Sequence, residues 1–169
     1  ELHEEIQDIP KLISRSCLQL KQMAIQEGVT VEKRMNEAHS FLLGDERVLM
    51  QILNNLISNA IKFTQKGGLI IVTSDVDIST GRYIICVEDT GIGMSRVEIN
   101  KVLEPFGQID SYQARRHEGT GLGLHLCVNF IKLFGGELNI ESQVGVGTKV
   151  TIRFPSERTI QNPKIPAEH

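Results

Sequence analysis

The feature that most constrains the fold is the stretch DERVLMQILNNLISNAIKF at residues 45–63. Its apolar residues recur at the spacing of one helix face, and Asp45 precedes them as a predicted N-cap. A stripe this wide requires burial, which predicts a central helix packed against other elements of a core. The residues of the stripe are Val48, Leu49, Ile52, Leu53, Leu56, Ile57, Ala60 and Ile61.

A row of polar side chains lies beside this stripe. Gln51, Asn55, Asn59 and Lys62 share one helix face by their spacing, and Asn54 adds a third asparagine. A solvated surface is the ordinary explanation, but charged residues would serve it equally well and asparagine is a poor helix former. Amide oxygens suit Mg²⁺, and a lysine offers a positive charge to a phosphate. The row therefore indicates a metal–phosphate site.

The rest of the chain predicts an α+β fold. Apolar patterns indicate helices over 1–28 and 122–134, and strands at 29–35, 41–43, 69–72, 83–87, 138–141 and 149–154. We expect a two-layer α/β sandwich, with a mixed, mostly antiparallel sheet and helices on one face. The predicted divisions are 1–9, the end of a preceding helix or a linker; 10–155, the domain; and 156–169, a linker or flexible tail.

Three glycine-rich segments add candidate site residues. In VEDTGIGMS, residues 87–95, Asp89 ends a buried strand and is placed to accept from an exocyclic amine, while Gly91 and Gly93 let the backbone approach a flat ring. EGTGLGLHL, residues 118–126, opens a helix and is typical of a phosphate-binding loop, although it fits neither the dinucleotide nor the P-loop motif. VGVGTKVTI, residues 144–152, indicates a hairpin turn, from which Thr148 can add a hydroxyl.

Composition excludes some classes of protein. A net charge of −3 provides no basic excess for nucleic acid. The three cysteines lack CxxC spacing, and we expect them to be free core thiols. No apolar run is long enough to cross a bilayer, so we expect no direct membrane contact from this fragment, which starts without a methionine and looks excised from a longer protein.

The chain resembles the catalytic and ATP-binding domain of sensor histidine kinases. The segments NNLISNAIKF, DTGIGM, EPFGQ, GTGLGL and GVGT are similar to five ordered sequence boxes of that family and cover roughly residues 10–155. The resemblance implies the Bergerat ATP-binding fold, which type II topoisomerases, mismatch-repair ATPases and a chaperone family share. It also implies ATP and Mg²⁺ as cofactors and a cytosolic location; a membrane anchor elsewhere in the parent protein is compatible with it.

The resemblance also implies roles for individual residues. Asn59 matches the Mg²⁺ ligand, with Asn55 one turn before it near the same phosphates; Lys62 matches the phosphate-contacting lysine, and Asp89 the acid that binds the adenine amine. Arg116 falls near a basic position of the family's ATP lid, with Arg115 and His117 as alternatives; with Asn55 and Lys62 it makes the predicted catalytic set. The other nucleotide-binding positions are Phe63, Gly91, Ile92, Gly93, Met94, Phe106, Gly119, Thr120, Gly121, Leu122, Gly123, Leu124 and Thr148.

The expected activity is transfer of the ATP γ-phosphate to a histidine. That histidine would lie in a separate dimerisation domain of the same, homodimeric protein, which would pass the phosphate to the receiver domain of a response regulator. The resemblance implies that residues 1–9 are the end of a preceding dimerisation helix or a linker. His3-Glu4 matches only a fragment of the phosphoacceptor motif, so we expect no acceptor in this chain. Hydrolytic relatives carry a water-activating glutamate at the position of Asn55, and an amide cannot take that proton. A hydrolytic ATPase and a degenerate scaffold module are the alternatives.

Overall fold

The computed structural model describes residues 1–35, 40–104 and 123–161. These residues form five helices, a 3₁₀ turn and eight strands. The helices are α1 (Ile9–Gln19), α2 (Lys21–Glu27), α3 (Glu46–Phe63), α4 (Arg96–Val102) and α5 (Gly123–Leu133), with the 3₁₀ turn at Ser156–Arg158. The strands are β1 (Glu5–Gln7), β2 (Thr30–Met35), β3 (Ser40–Gly44), β4 (Leu69–Val76), β5 (Tyr83–Asp89), β6 (Glu137–Gln143), β7 (Gly147–Arg153) and β8 (Thr159–Gln161).

The main sheet is mixed and mostly antiparallel, as predicted. Its order is β2-β4-β5-β7-β6, in which only the β2–β4 pair is parallel. One face of this sheet shares a single hydrophobic core with α1, α3 and α5, while Glu88 and Lys149 on the opposite face are exposed. The predicted α+β sandwich with helices on one face is therefore confirmed.

Helix α3 runs through the middle of this core. All eight residues of the predicted apolar stripe are buried, together with Met50. Asp45 caps the helix, because its Oδ1 accepts hydrogen bonds from the backbone N–H groups of Arg47 at 3.0 Å and Val48 at 3.3 Å. The helix ends at Phe63, where the hydroxyl of Thr64 donates to the carbonyl of Ala60 at 2.7 Å.

The prediction of helix over residues 1–28 is wrong at its start and near its middle. Residues 5–7 form strand β1, which pairs antiparallel with β3, and the helical part divides at Leu20 into α1 and α2. Asp8 caps α1, and Gly28 ends α2 in the left-handed conformation with φ of 68°. Residues 5–7 therefore do not continue a preceding helix.

The prediction of a flexible tail is wrong for residues 156–161. Strand β8 pairs with β3, completing a second sheet of three strands in the order β1-β3-β8. Arg158 fixes this segment through hydrogen bonds to the carbonyls of Phe134 at 2.7 Å and Leu43 at 3.0 Å, and through an ion pair with Glu4 at 2.8 Å. The rest of the predicted tail, residues 162–169, lies outside the described residues.

Two further expectations can be compared with the described structure. Cys17, Cys86 and Cys127 are all free thiols, as predicted. Among residues 1–35, 40–104 and 123–161, no helix has the length and apolar character needed to cross a membrane.

Candidate nucleotide-binding site

An open cavity lies between α3, the end of β5 and the first turn of α5. Its empty volume is about 540 Å³, part of which is continuous with solvent. Its walls are mostly apolar. They are formed by Leu56, Asn59, Ala60, Phe63, Val87, Asp89, Ile92, Gly93, Met94, Val102, Leu124, Thr148 and Val150.

Asp89 presents a carboxylate to this cavity. Its Oδ1 accepts from the backbone N–H of Gly91 at 2.8 Å and of Thr148 at 3.3 Å. Its Oδ2 accepts no hydrogen bond from any residue that the structure describes. Burial has the largest effect on the pKa of Asp89 and raises it. The hydrogen bonds from the backbone N–H groups of Gly91 and Thr148 lower this pKa by less, and the neighbouring Glu88 charge raises it by a smaller amount. The main chain thus orients the carboxyl group and leaves one oxygen available to a ligand N–H.

A hydroxyl pair stands beside Asp89. The Oγ atom of Ser142 accepts from the backbone N–H of Met94 at 2.7 Å and donates to the carbonyl of Gly147 at 3.0 Å. The hydroxyl of Thr148 lies 2.7 Å from the same Oγ atom, and either hydroxyl can donate to the other. Thr148 therefore adds a hydroxyl group to the cavity wall. Ser142 was not predicted, since its position in a strand gave no sign of this contact.

Gly91 and Gly93 have a packing reason to be glycine, besides the predicted approach of a flat ring, which stays a prediction. A Cβ on Gly91 would lie 2.3 Å from the carbonyl oxygen of Phe63, and one on Gly93, where φ is 68°, would lie 2.0 Å from that of Gln143. The loop also donates from Ile92 N to the Phe63 carbonyl at 3.0 Å. The glycines thus permit close packing of the loop on α3 and on the β6–β7 turn, which fixes Asp89 against the cavity.

The amide row meets the beginning of α5. Asn59 lines the cavity, and a Cβ on Gly123 would lie 3.6 Å from its Nδ2 and 4.0 Å from Cγ of Asn55. Asn55 also contacts Cys127, whose pKa is raised to about 12 mainly by burial. The half-buried amides therefore lie next to a helix N-terminus, where backbone N–H groups and the helix dipole favour anions.

Asn54 has a structural role instead. Its Oδ1 accepts from the hydroxyl of Ser16 at 2.6 Å, and its Nδ2 donates to Oε1 of Gln19 at 3.2 Å. These bonds join α3 to α1. Gln51, at the start of the predicted amide row, is exposed. The site-facing amides are thus Asn55 and Asn59.

The structure brings together eight predicted site residues as cavity walls: Asn59, Phe63, Asp89, Ile92, Gly93, Met94, Leu124 and Thr148. Asn55, Gly91 and Gly123 adjoin these walls, and Lys62 occupies the last turn of α3. The apolar walls Leu56, Ala60, Val87, Val102 and Val150 were not predicted as site residues, although the apolar stripe and strand alternation marked most of them as buried. The predictions for Phe106, Arg115, Arg116, His117, Gly119, Thr120, Gly121 and Leu122 lie outside the described residues.

The donor set is compatible with magnesium only if the ligand contributes oxygens. The described part of the chain contains no group of three or more His, Cys, Asp or Glu side chains that could hold a metal. A single amide such as Asn59 suits Mg²⁺ when phosphates and water fill its other positions. The residues therefore fit a metal that arrives with a phosphorylated ligand.

Comparisons with known proteins identify relatives that match most of the chain. The family model described as "Histidine kinase-, DNA gyrase B-, and HSP90-like ATPase" matches residues 44–158. An uncharacterized sensor-like histidine kinase, R01002 of Rhizobium meliloti, is 40% identical over 138 residues, which are 82% of this chain and 26% of the relative. The cell-division control histidine kinase PdhS of Brucella canis is 34% identical over 156 residues, 88% of this chain and 15% of the relative. The chain thus spans about a quarter or less of these curated relatives.

Solved structures show the same fold. Full-length ShkA in complex with AMPPNP superposes with a TM-score of 0.81 at 26% identity, covering 96% of this chain and 32% of ShkA. The catalytic domain of the histidine kinase ThkA gives a TM-score of 0.77 at 22% identity, covering 91% of this chain and 98% of that domain. The chain therefore belongs to the family of histidine kinase-, DNA gyrase B- and HSP90-like ATPases, and its fold is that of a histidine kinase catalytic domain.

Proposed function

We propose that the chain is the ATP-binding catalytic domain of a two-component sensor histidine kinase. The observation that carries this proposal is the juxtaposition of an oriented carboxylate with one open oxygen, Asp89, and a pair of amides beside a helix N-terminus, Asn55 and Asn59. The first suits the amine of adenine, and the second suits a phosphate chain. Asp89 and Asn59 line one cavity, and Asn55 lies one helical turn before Asn59.

The proposed roles follow the position of each group. Asp89 accepts from the adenine amine, Thr148 offers its hydroxyl nearby, and the apolar walls, including Phe63 and Met94, contact the ring. Asn59, Asn55 and Lys62 face the phosphates. Mg²⁺, when bound with the nucleotide through Asn59 and the phosphates, would neutralise charge on the transferred group. Arg116 remains a proposed basic contributor.

The chemistry favoured by these residues is transfer rather than hydrolysis. An asparagine side chain has no basic lone pair with which to take a proton from water. Asn55 can therefore orient a bound group but cannot activate water for hydrolysis. The acceptor we propose is a histidine in the dimerisation domain of the same protein, with a receiver-domain aspartate as the next acceptor and the parent protein a homodimer. These partners are proposals, as is a cytosolic location.

A phosphoryl-transfer assay tests the proposal. The full chain with Mg-ATP and a dimerisation segment carrying the acceptor histidine should form acid-labile phosphohistidine while releasing free phosphate only slowly. The Asn55→Glu variant should lose phosphoryl transfer. Asn55→Ala removes the amide without adding a carboxylate, so it separates loss of nucleotide binding from a change of chemistry. Rapid phosphate release by the unmodified chain would favour a hydrolytic ATPase, and absence of saturable nucleotide binding would favour a scaffold module.

A further inference from the structure

His125 links two separate walls of the cavity. Its Nδ1 lies 3.2 Å from the backbone carbonyl oxygen of Leu103, at the end of α4, and its Nε2 lies 3.2 Å from Nδ2 of Asn129, one turn along α5. A carbonyl oxygen can only accept, so Nδ1 carries the proton and Nε2 accepts from the amide of Asn129. Asn129 thus holds the ring in the orientation that bonds Leu103.

Helix α4 makes little buried apolar contact with the rest of the described structure. None of its residues is buried. Its N-terminus is fixed by a capping box between Ser95 and Glu98, and its apolar residues Ile99 and Val102 pack with Met94 in a small cluster separate from the main core. An element with little buried apolar contact opens at low free energy, so a hydrogen bond at its C-terminal end helps to hold it in place.

The bonded groups adjoin cavity walls on both sides. Leu103 directly follows Val102, and His125 directly follows Leu124; Val102 and Leu124 both line the cavity. The hydrogen bond between Nδ1 of His125 and the Leu103 carbonyl therefore sets the distance between the α4 wall and the α5 wall. A cavity held at its binding width before the ligand arrives avoids part of the ordering cost of binding.

We propose that His125 is a positioning residue that holds the α4 and α5 walls of the cavity together and thereby strengthens binding in it. The identity of the ligand, an adenine nucleotide, rests on the proposed function. The role itself rests on the two hydrogen bonds of the imidazole and on the position of its neighbours. His125 makes no direct contact with the nucleotide in this proposal and takes no part in phosphoryl transfer.

Substitutions at position 125 separate the hydrogen bond from the shape of the ring. His125→Phe keeps a planar ring without a donor, whereas His125→Asn places an amide N–H near the position of Nδ1. Lys132→Ala, at an exposed position of α5, is the matched control. The measurements are calorimetric titration of each chain of 169 residues with Mg-ADP and amide hydrogen exchange of residues 97–103.

His125→Phe should weaken Mg-ADP binding roughly fivefold, the order expected for one lost hydrogen bond, and should speed exchange in α4 but not in α3. His125→Asn should restore both properties, and Lys132→Ala should change neither. Equal affinity and equal α4 exchange in His125→Phe and the unmodified chain would overturn the proposal, as would failure of His125→Asn to restore them. If the unmodified chain binds no Mg-ADP, the proposed function fails, while the exchange measurement still decides whether His125 holds the walls.

Discussion

At the scale of single residues, Asp89 has two properties that oppose each other. Burial raises the pKa of its carboxyl group, so the charged form is disfavoured in the folded chain. The same burial strengthens the hydrogen bond that the charged form can offer to a ligand amine. A carboxylate kept at a stability cost beside an open cavity is typical of a binding residue.

We therefore predict that the stability of the chain and its affinity for nucleotide change in opposite directions as pH rises. Because the folded pKa of Asp89 is raised above the unfolded value, its contribution to stability is present below the unfolded pKa and is lost as pH rises through the folded pKa. Urea titrations should show the unmodified chain losing stability relative to Asp89→Asn over that rise in pH. Affinity for Mg-ADP should increase over the same interval, because the carboxylate is the better acceptor.

A fall in Mg-ADP affinity over the same interval would mean that the Asp89 carboxylate is not the acceptor for the ligand amine. The Asp89→Asn variant is a fair reference for this comparison, since its amide oxygen can still accept from the backbone N–H groups of Gly91 and Thr148. Only the atom facing the cavity changes, from an acceptor to a donor.

At the scale of elements, the side chain of Asp45, the N-cap of α3, accepts three hydrogen bonds from backbone N–H groups. Besides capping the helix, Asp45 accepts from the backbone N–H of His3 at 2.9 Å through Oδ2. That bond is the main reason that the pKa of Asp45 is lowered, and the capping bonds contribute further. The residue thus joins the N-terminal segment to the helix that carries the proposed phosphate-facing amides.

We expect Asp45→Ala to lower the free energy of unfolding by about 1–2 kcal/mol, the upper part of the range for loss of an N-cap. Since the folded pKa of Asp45 is lowered, its stabilisation is present above the unfolded pKa and is lost as pH falls through the folded pKa. Urea unfolding near neutral and at acid pH measures the difference. Asp45→Asn, which retains an acceptor for the cap, is the control and should lose less; equal stability of Asp45→Ala and the unmodified chain at neutral pH would contradict the prediction.

Helices and strands whose apolar pattern lies within one segment of the sequence could be predicted. The apolar spacing of α3 indicates burial within one segment, and so does the alternation of Val150 and Ile152 in β7 that Phe154 continues just after the strand. Strands β1 and β8 have three residues each and depend on partners far away in the chain, with Glu5 opposite Gly44 and Ser40 opposite Gln161. No local pattern reveals such pairings, which is why both ends were misassigned.

The same distinction holds for the candidate site. Asp89 and Asn59 were predictable because a carboxylate at the end of a buried strand and an amide in an apolar helix need a reason to be there. Ser142 and His125 were not, because their partners, Met94, Thr148 and Leu103, come from other elements and only the fold brings them within hydrogen-bond distance.

At the scale of the whole molecule, the two ends of the described chain meet in the small sheet. Both β1 and β8 pair with β3, and Arg158 joins the carbonyls of Leu43 and Phe134 to the carboxylate of Glu4. Its guanidinium also lies 5.1 Å from the ring centre of Phe134. We therefore propose that the folded unit includes residues before 10 and after 155.

A truncated chain of residues 10–155 should be clearly less stable than the full chain, with a lower urea midpoint, because it leaves β3 without either partner strand. Arg158→Ala should fall between them, since it removes the carbonyl and carboxylate contacts but keeps both strands. Glu157→Ala, at an exposed position beside it, serves as the control and should be neutral. A truncated chain with the midpoint of the full chain would show that the small sheet adds nothing to stability.

The central claim is that one cavity binds an adenine nucleotide and selects it through Asp89. The most direct measurement is calorimetric titration of the full chain and its Asp89→Asn variant with Mg-ADP and Mg-GDP. Adenine presents an amine where guanine presents a carbonyl oxygen. The unmodified chain should bind Mg-ADP saturably and Mg-GDP at least roughly tenfold more weakly, and Asp89→Asn should lose roughly tenfold or more of the Mg-ADP affinity. Equal affinity for the two nucleotides, or an Asp89→Asn variant that binds Mg-ADP as well as the unmodified chain, would contradict the claim.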